Sequence, residues 1–164
     1  MQITIVQGSI LDADAQVIVN AANSLGLMGG GVAGVIKRAA GADVEREATR
    51  QAPIRVGKAI LTSGGKTKFK AIIHAPTMAE PGQRIPVQHV AFATKAALTL
   101  ADEKGFESIA IPGMGTGVGG VSHGDAGRVM LDIVQAFQPR KLKAVVLVDV
   151  DPQMVAAWRD AAHK

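Results

Sequence analysis

The glycines of this chain are unevenly distributed, and their placement restricts the fold more than any other feature. Of 19 glycines in 164 residues, five lie between Gly26 and Gly34 and seven lie between Gly113 and Gly127. Each of these two windows follows a short apolar run and precedes a pattern with helical spacing. A strand, a glycine-rich turn and a helix in succession are typical of α/β proteins, whose ligand sites lie beyond the carboxyl ends of the strands.

Apolar runs and helical patterns alternate along the rest of the chain. Strands are predicted at 3–6, 17–19, 58–61, 71–73, 108–111 and 144–148. Helices are predicted at 32–40, from Asp43 as N-cap to about 51, at 87–101 with a stop at Gly105, at about 125–137, and from the pair Asp151-Pro152 through 158. We therefore predict a single α/β domain over residues 1–164, a three-layer α/β/α sandwich with a mixed, mostly parallel sheet.

Several classes of protein are disfavoured by composition. The chain has no cysteine, which removes disulfides, cysteine-ligated metals and thiol catalysis. Its four histidines are dispersed and form no HExxH pattern, so neither a metal nor a cofactor is expected. No apolar run approaches the roughly 18 residues needed to span a bilayer, so no membrane partner is expected. A cytoplasmic location is the default expectation.

The net charge of +4 suggests an anionic partner. Nucleic acid is the less favoured choice, because the basic residues are scattered and aromatic residues make up only 3% of the chain. The GxGxxG match at 115–120 lies late in the chain and lacks the acidic residue of a dinucleotide site, which disfavours a nicotinamide oxidoreductase.

Glycine turns before helices favour a different anion. Successive main-chain N–H groups and the positive end of a helix together hold a phosphate without a metal or a lysine. Two such loops at neighbouring strand ends would hold a diphosphate; the alternative is that the glycines only serve tight turns. Asn20 and Asn23 leave a strand just before the first window, and an amide suits ribose hydroxyls. Asn20 is expected to end the strand in a turn, and Asn23 is the better candidate for ligand contact.

These residues resemble the macro domain family. The resemblance is carried by Val19-Asn20-Ala21-Ala22-Asn23, by Gly29-Gly30-Gly31-Val32-Ala33, and by Ile111-Pro112 with Gly115-Thr116-Gly117-Val118-Gly119. It covers nearly the whole chain and implies a three-layer fold around a six-stranded mixed sheet. It also implies binding of ADP-ribose, free or attached to protein, and in some members hydrolysis of ADP-ribosyl or O-acetyl-ADP-ribose esters.

The resemblance also assigns individual residues. Asn23 matches the asparagine that contacts the distal ribose and is the one candidate catalytic residue. The first diphosphate loop matches Gly29, Gly30, Gly31 and Val32, and the second matches Gly115, Thr116, Gly117 and Val118. The remaining candidate ligand contacts are Ser9, Ile10, Asn20, Ala33, Gly119 and Val150.

Four of these positions depart from the family pattern. Ser9 stands where an Asp usually accepts a hydrogen bond from adenine, and Ile10 follows that position; Asp12 or Asp14 is the alternative acceptor. Gly119 and Val150 replace aromatic residues that pack on the distal ribose and on adenine, so a more open pocket is expected. Ala33 replaces an Asp of the strongly hydrolytic branch, and general-base help is worth about 10²–10⁴-fold in rate. A binder of ADP-ribose or ADP-ribosylated proteins with weak hydrolysis is therefore expected; the alternative is a true hydrolase.

Overall fold

A computed structural model describes residues 1–163 of the chain. Within that range the strands are β1 (Gln2–Gln7), β2 (Val17–Asn23), β3 (Ile60–Ser63), β4 (Ala71–Met78), β5 (Ser108–Ile111) and β6 (Ala144–Asp149). The helices are α1 (Gly31–Ala40), α2 (Ala42–Arg50), α3 (Val87–Glu103), α4 (His123–Ala136) and α5 (Pro152–Ala162), and a 3-10 turn covers Ile10–Asp12. None of these helices is both long and apolar enough to cross a membrane.

The six strands form one sheet in the order β1-β6-β5-β2-β4-β3. Five of them run parallel, and only β3 pairs antiparallel, with β4 at one edge. β2 and β5 are direct neighbours, with Val17 opposite Ile109. Because parallel strands end at the same edge of a sheet, the segments that follow β2, β5 and β6 begin side by side.

Alternate residues of the central strands enter two cores, one on each face of the sheet. Val17 and Val19 pack with α3, α4 and α5, whereas Ile18 packs with α1 and α2. All three side chains are fully buried, as the continuous apolar run predicts. The three-layer α/β/α sandwich with a six-stranded, mixed and mostly parallel sheet is therefore confirmed.

The start of α5 agrees with the sequence prediction, whereas the start of α4 does not. The carboxylate of Asp151 accepts the N–H of Gln153 at 2.9 Å, and Pro152 is the first residue of α5, as predicted. α4 begins at His123 rather than near 125, because the hydroxyl of Ser122 accepts the N–H of Asp125 at 3.1 Å and caps the helix earlier.

Two other predicted boundaries were wrong. Asp43 does not cap α2. Gly41 is the single residue between α1 and α2, and its φ of +99° is a conformation that favours glycine. Asp43 instead lies in the first turn, where its charge suits the helix N-terminus. Asn20 does not end its strand in a turn, because β2 continues to Asn23.

Candidate functional site

Two loops of the chain follow neighbouring strands. Loop 1 is residues 24–30, between β2 and α1, and loop 2 is residues 112–122, between β5 and α4. Because β2 and β5 are paired in parallel, both loops start at the same edge of the sheet. Neither loop contains a charged side chain. Any attraction that the loops exert on an anion therefore comes from main-chain N–H groups and helix ends.

Loop 1 and the first turn of α1 present a run of free donors. Among residues 1–163, no acceptor forms a hydrogen bond with the N–H groups of residues 29–33. Gly29, Gly30 and Gly31 are exposed, and a Cβ atom added at any of them would meet nothing within 4 Å. Gly31 turns the chain into the helix with φ of +58°, which favours glycine. The space beside these donors is open to a ligand.

Loop 2 repeats this arrangement. Its N–H groups at residues 114–119 likewise have no partner in the part of the chain that the structure describes. The loop is closed by bonds from Gly120 N–H to the Gly117 carbonyl at 3.2 Å and from Val121 N–H to the Gly115 carbonyl at 2.9 Å. A Cβ atom at Gly117 would meet nothing within 4 Å, and Val118 is 65% exposed. Thr116, which precedes Gly117, is half-buried.

Gly119 departs from this open surface. It is buried, and a Cβ atom there would lie 2.7 Å from the carbonyl oxygen of Gly115. Its own carbonyl accepts the N–H of Ile85 at 3.0 Å, from the segment before α3. Loop 2 is therefore folded so tightly that no side chain fits at this position. A ligand contact from Gly119 would have to come from its main chain.

Asn23 organises loop 1 from its start. Its Oδ1 atom accepts the N–H groups of Leu25 at 3.0 Å and Leu27 at 3.3 Å, and its Nδ2 atom donates to the Leu27 carbonyl at 2.9 Å. The residue is 8% exposed. One amide hydrogen remains for another acceptor, because Nδ2 carries two. Ligand contact by Asn23 stays a prediction, with one donor to serve it.

Asn20 lies in the core and does not reach the surface. Its side chain is fully buried, and Nδ2 lies 3.2 Å from Nδ1 of His74 on the neighbouring strand. Since an amide nitrogen only donates, Nδ1 is the acceptor and Nε2 of His74 carries the proton, which it donates to Oγ1 of Thr62 at 2.9 Å. Burial lowers the pKa of His74 to about 4, so the ring is neutral. Because it is fully buried, the Asn20 side chain is not accessible to a ligand.

Asp149, at the end of β6, connects the other candidate residues. Its main-chain carbonyl accepts the N–H of Gly8 at 3.0 Å, its Oδ2 atom accepts the N–H of Gly113 at 2.9 Å, and its Oδ1 atom accepts the N–H of Asp151 at 3.0 Å. These bonds bring the segment after β1, loop 2 and the segment after β6 together. Ser9 and Val150, the residues next to Gly8 and Asp149, therefore flank one place at the sheet edge.

The predicted adenine contacts differ in accessibility. Val150 is 68% exposed, whereas Ile10 is 4% exposed and belongs to the core on the α1 face. Ser9 is half-buried, and its hydroxyl accepts the N–H of Leu11 at 3.2 Å. Trp158, on the inner side of α5, is fully buried and offers no ring to a base.

At the start of α1, Val32 is half-buried and Ala33 is buried, in the first turn of the helix.

Two concavities of about 510 and 400 Å³ lie away from the loops. The larger lies between α4 and α5 and the smaller beside α3, and no loop 1 or loop 2 residue lines either. The candidate site is the surface around the two loops, where Gly29, Gly30, Gly31 and Gly117 are exposed.

Three residues at or near the site have structural partners that the sequence did not reveal. They are Asp149, His74 and Glu45, whose carboxylate accepts the N–H of Met28 at 2.7 Å. Asp149 had one local signal. It ends a strand two residues before the N-cap Asp151, and an Asp side chain often accepts the main-chain N–H two residues later. The other two act across 17 or more residues of sequence, for which a single sequence holds no signal.

Comparison with known proteins agrees with this geometry. The profile of the family described as Macro domain matches residues 19–130. An uncharacterised protein of Aquifex aeolicus is 57% identical over 158 residues, 96% of each chain. The Oceanobacillus iheyensis macrodomain, solved with ADP, superposes with a TM-score of 0.86 at 28% identity over 97% of this chain and 88% of that one. The Trypanosoma brucei macrodomain in complex with ADP-ribose gives 0.88 at 26% identity, over 98% and 69%. The chain belongs to the macro domain family.

Proposed function

We propose that this macro domain binds ADP-ribose, either free or as the terminal ADP-ribosyl group of a modified protein. The observation that carries the proposal is the pair of free N–H runs, at 29–33 and 114–119, which begin at adjacent parallel strands. Each run suits one phosphate, so two neighbouring runs suit a diphosphate. Macrodomains of similar structure solved with ADP and with ADP-ribose support the same ligand class.

The assignment of ligand parts follows from the order of the strands. β5, which leads into loop 2, lies between β6 and β2. The adenine end of the ligand is therefore proposed beside Ser9 and Val150, at the ends of β1 and β6, and the distal ribose beside Asn23, at the end of β2. The two loops would hold the diphosphate between them.

Titration calorimetry with ADP-ribose, ADP, AMP and NAD tests the proposal. ADP-ribose is expected to bind most tightly, because it alone among the four supplies two phosphates together with a distal ribose that carries no second base. AMP, with one phosphate, is expected to bind at least about tenfold more weakly, a difference of ~1.4 kcal/mol. Equal affinities for AMP and ADP-ribose would contradict the two-loop diphosphate site, and no affinity for any of the four would contradict the proposed function.

Hydrolysis of ADP-ribosyl or O-acetyl-ADP-ribose esters is the second candidate function. The chain has the loops and Asn23, but Ala33 in the first turn of α1 supplies no general base. We therefore propose slow or absent turnover. The test incubates a mono-ADP-ribosylated protein with excess domain for hours and compares wild type with Ala33→Asp. Faster release of ADP-ribose by the variant would support a binding domain that lacks a general base. Rapid release by wild type would instead support a true hydrolase.

A cytoplasmic location remains a proposal that rests on the cysteine-free sequence. ADP-ribosylated proteins as partners are likewise proposed on the ligand chemistry. Capture of a mono-ADP-ribosylated protein, but not of its unmodified form, on immobilised domain is the direct test of such a partner.

A further inference from the structure

A carboxylate on α2 fixes the main chain at the point where loop 1 reaches its free donors. The Oε2 atom of Glu45 accepts the N–H of Met28 at 2.7 Å, and the Oε1 atom of Glu45 lies 2.8 Å from Nζ of Lys37 on α1. The Glu45 side chain is 22% exposed and the Lys37 side chain is 37% exposed. One carboxylate thus joins loop 1, α1 and α2.

The part of loop 1 before Met28 is held by other contacts. Asn23 accepts the N–H groups of Leu25 and Leu27, as described above. Gly26 lies so close to α2 that a Cβ atom there would stand 2.9 Å from the carbonyl carbon of Ala48. The N–H groups of residues 25–28 therefore all have partners: the Asn23 side chain, the Asn23 carbonyl and Glu45. The free run starts at the next residue, Gly29.

We propose that Glu45 is a positioning residue for the anionic ligand: it holds Met28 so that the N–H groups of residues 29–33 face the bound phosphate. This inference rests on the proposed function and names a residue outside both loops as part of that site. Glu45 does not touch the ligand in this scheme. It acts through Met28, the last residue of loop 1 whose N–H group is hydrogen-bonded.

The charge of Glu45 is compatible with an anion nearby because Lys37 neutralises it. The hydrogen bond from Lys37, followed by that from Met28, lowers the pKa of Glu45 below its usual value, so the carboxylate is ionised at neutral pH. An ionised acceptor holds an N–H group more strongly than a neutral one does. The ion pair therefore supplies a strong anchor without adding net charge beside the loop.

The test compares Glu45→Ala, Glu45→Gln and Glu47→Ala in ADP-ribose calorimetry. Glu45→Ala removes the acceptor, and we expect about tenfold or greater loss of affinity. In Glu45→Gln the amide oxygen still accepts the Met28 N–H, so this variant should retain most of the wild-type affinity for ADP-ribose. Glu47→Ala is the matched control: Glu47 lies on the same helix, but it accepts from the N–H and hydroxyl of Ser63 at 2.9 and 2.7 Å instead of from loop 1. The affinity of Glu47→Ala for ADP-ribose should stay within about twofold of the wild-type value.

Hydrogen exchange at the Met28 amide, measured without ligand, separates positioning from general loss of stability. We expect faster exchange in Glu45→Ala and wild-type exchange in Glu47→Ala. If wild type binds ADP-ribose and Glu45→Ala binds it equally well, the inference is overturned and the proposed function stands. Equal losses of affinity in Glu45→Ala and Glu47→Ala would also overturn it. If wild type does not bind ADP-ribose at all, the proposed function fails, and this inference fails with it.

Discussion

The Oδ2 atom of Asp149 accepts the N–H of Gly113 at 2.9 Å and so joins the end of β6 to the start of loop 2. The other oxygen of the same carboxylate accepts the N–H of Asp151. A Cβ atom at Gly113 would lie 2.9 Å from Oδ2, which shows how closely the two segments approach. The start of loop 2 is therefore fixed by an acid that lies outside the loop.

Removing this carboxylate should lower both stability and ligand affinity. Asp149→Ala leaves two N–H groups without their acceptor, and hydrogen bonds to a charged group are worth about 1.5–3 kcal/mol each. We expect the free energy of unfolding, measured in urea, to fall by roughly 2 kcal/mol or more. Asp132→Ala, an exposed acid on α4, is the control and should stay within about 0.5 kcal/mol of wild type. An equal, small effect in both variants would contradict the role of Asp149.

Gly30→Glu should abolish ADP-ribose binding and leave the fold intact. The added side chain enters open space, since nothing lies within 4 Å of a Cβ atom there. Its carboxylate would then repel the phosphate, and like-charge contacts cost several kcal/mol. Calorimetry should show at least a ~100-fold loss of affinity. Gly124→Glu, which also enters open space but lies beyond both loops, should bind normally. Unchanged affinity in Gly30→Glu would move the ligand away from loop 1.

Ser9→Asp should strengthen the binding of adenine-containing ligands. Asp retains the acceptor that caps the 3-10 turn through the Leu11 N–H, and it adds a charge that strengthens a bond from the adenine amino group. Affinity for ADP-ribose and AMP should rise several-fold, whereas ribose 5-phosphate, which lacks the base, should be unaffected. Asp12→Ala, in the same turn, should change neither. A gain for ribose 5-phosphate, or no gain for AMP, would place the base elsewhere.

The stability of the domain should fall as pH is lowered from about 6.5 to about 4, in part because of His74. Burial lowers the pKa of this histidine from 6.5 to about 4, and the negative charge of Glu47 acts in the opposite direction. Between those values the unfolded chain binds a proton that the folded protein does not. The contribution of His74 is thus fully present above about pH 6.5, is lost progressively below it, and amounts to roughly 3 kcal/mol.

Unfolding free energies of wild type and His74→Gln across this range isolate that contribution. The variant should show a shallower dependence on pH, because the carboxylates of the two proteins are the same. His163→Gln, at an exposed position, should follow wild type. Parallel curves for wild type and His74→Gln would contradict a neutral, buried His74.

The layers of the fold could be predicted because they depend on local patterns. Val17-Ile18-Val19 indicates a strand buried on both faces, and the glycine windows mark the two turns that follow β2 and β5. The pairing of β1 with β6, more than 140 residues apart, and the antiparallel edge strand β3 could not be predicted from such patterns. That residues 1–164 form a single domain stays a prediction.

Within the candidate site, the loops could be predicted but their supports could not. The N–H groups of residues 29–33 and 114–119 belong to the motifs themselves. The contacts of Asn20 with His74, Met28 with Glu45 and Gly113 with Asp149 each join residues 17 to 54 positions apart. The burial of Asn20, a candidate ligand contact, depends on a histidine from another strand and could not be predicted from its own motif.

The free N–H runs have an evolutionary consequence. Every amino acid except proline supplies a main-chain N–H, so the donors persist when side chains change, provided that the path of the chain is kept. Under the proposed function, a lineage could therefore exchange most of its surface side chains and still present these donors to a phosphate. Relatives with a quarter of their residues in common would keep this chemistry, and selection would act most strictly against proline and against bulk in the open turns.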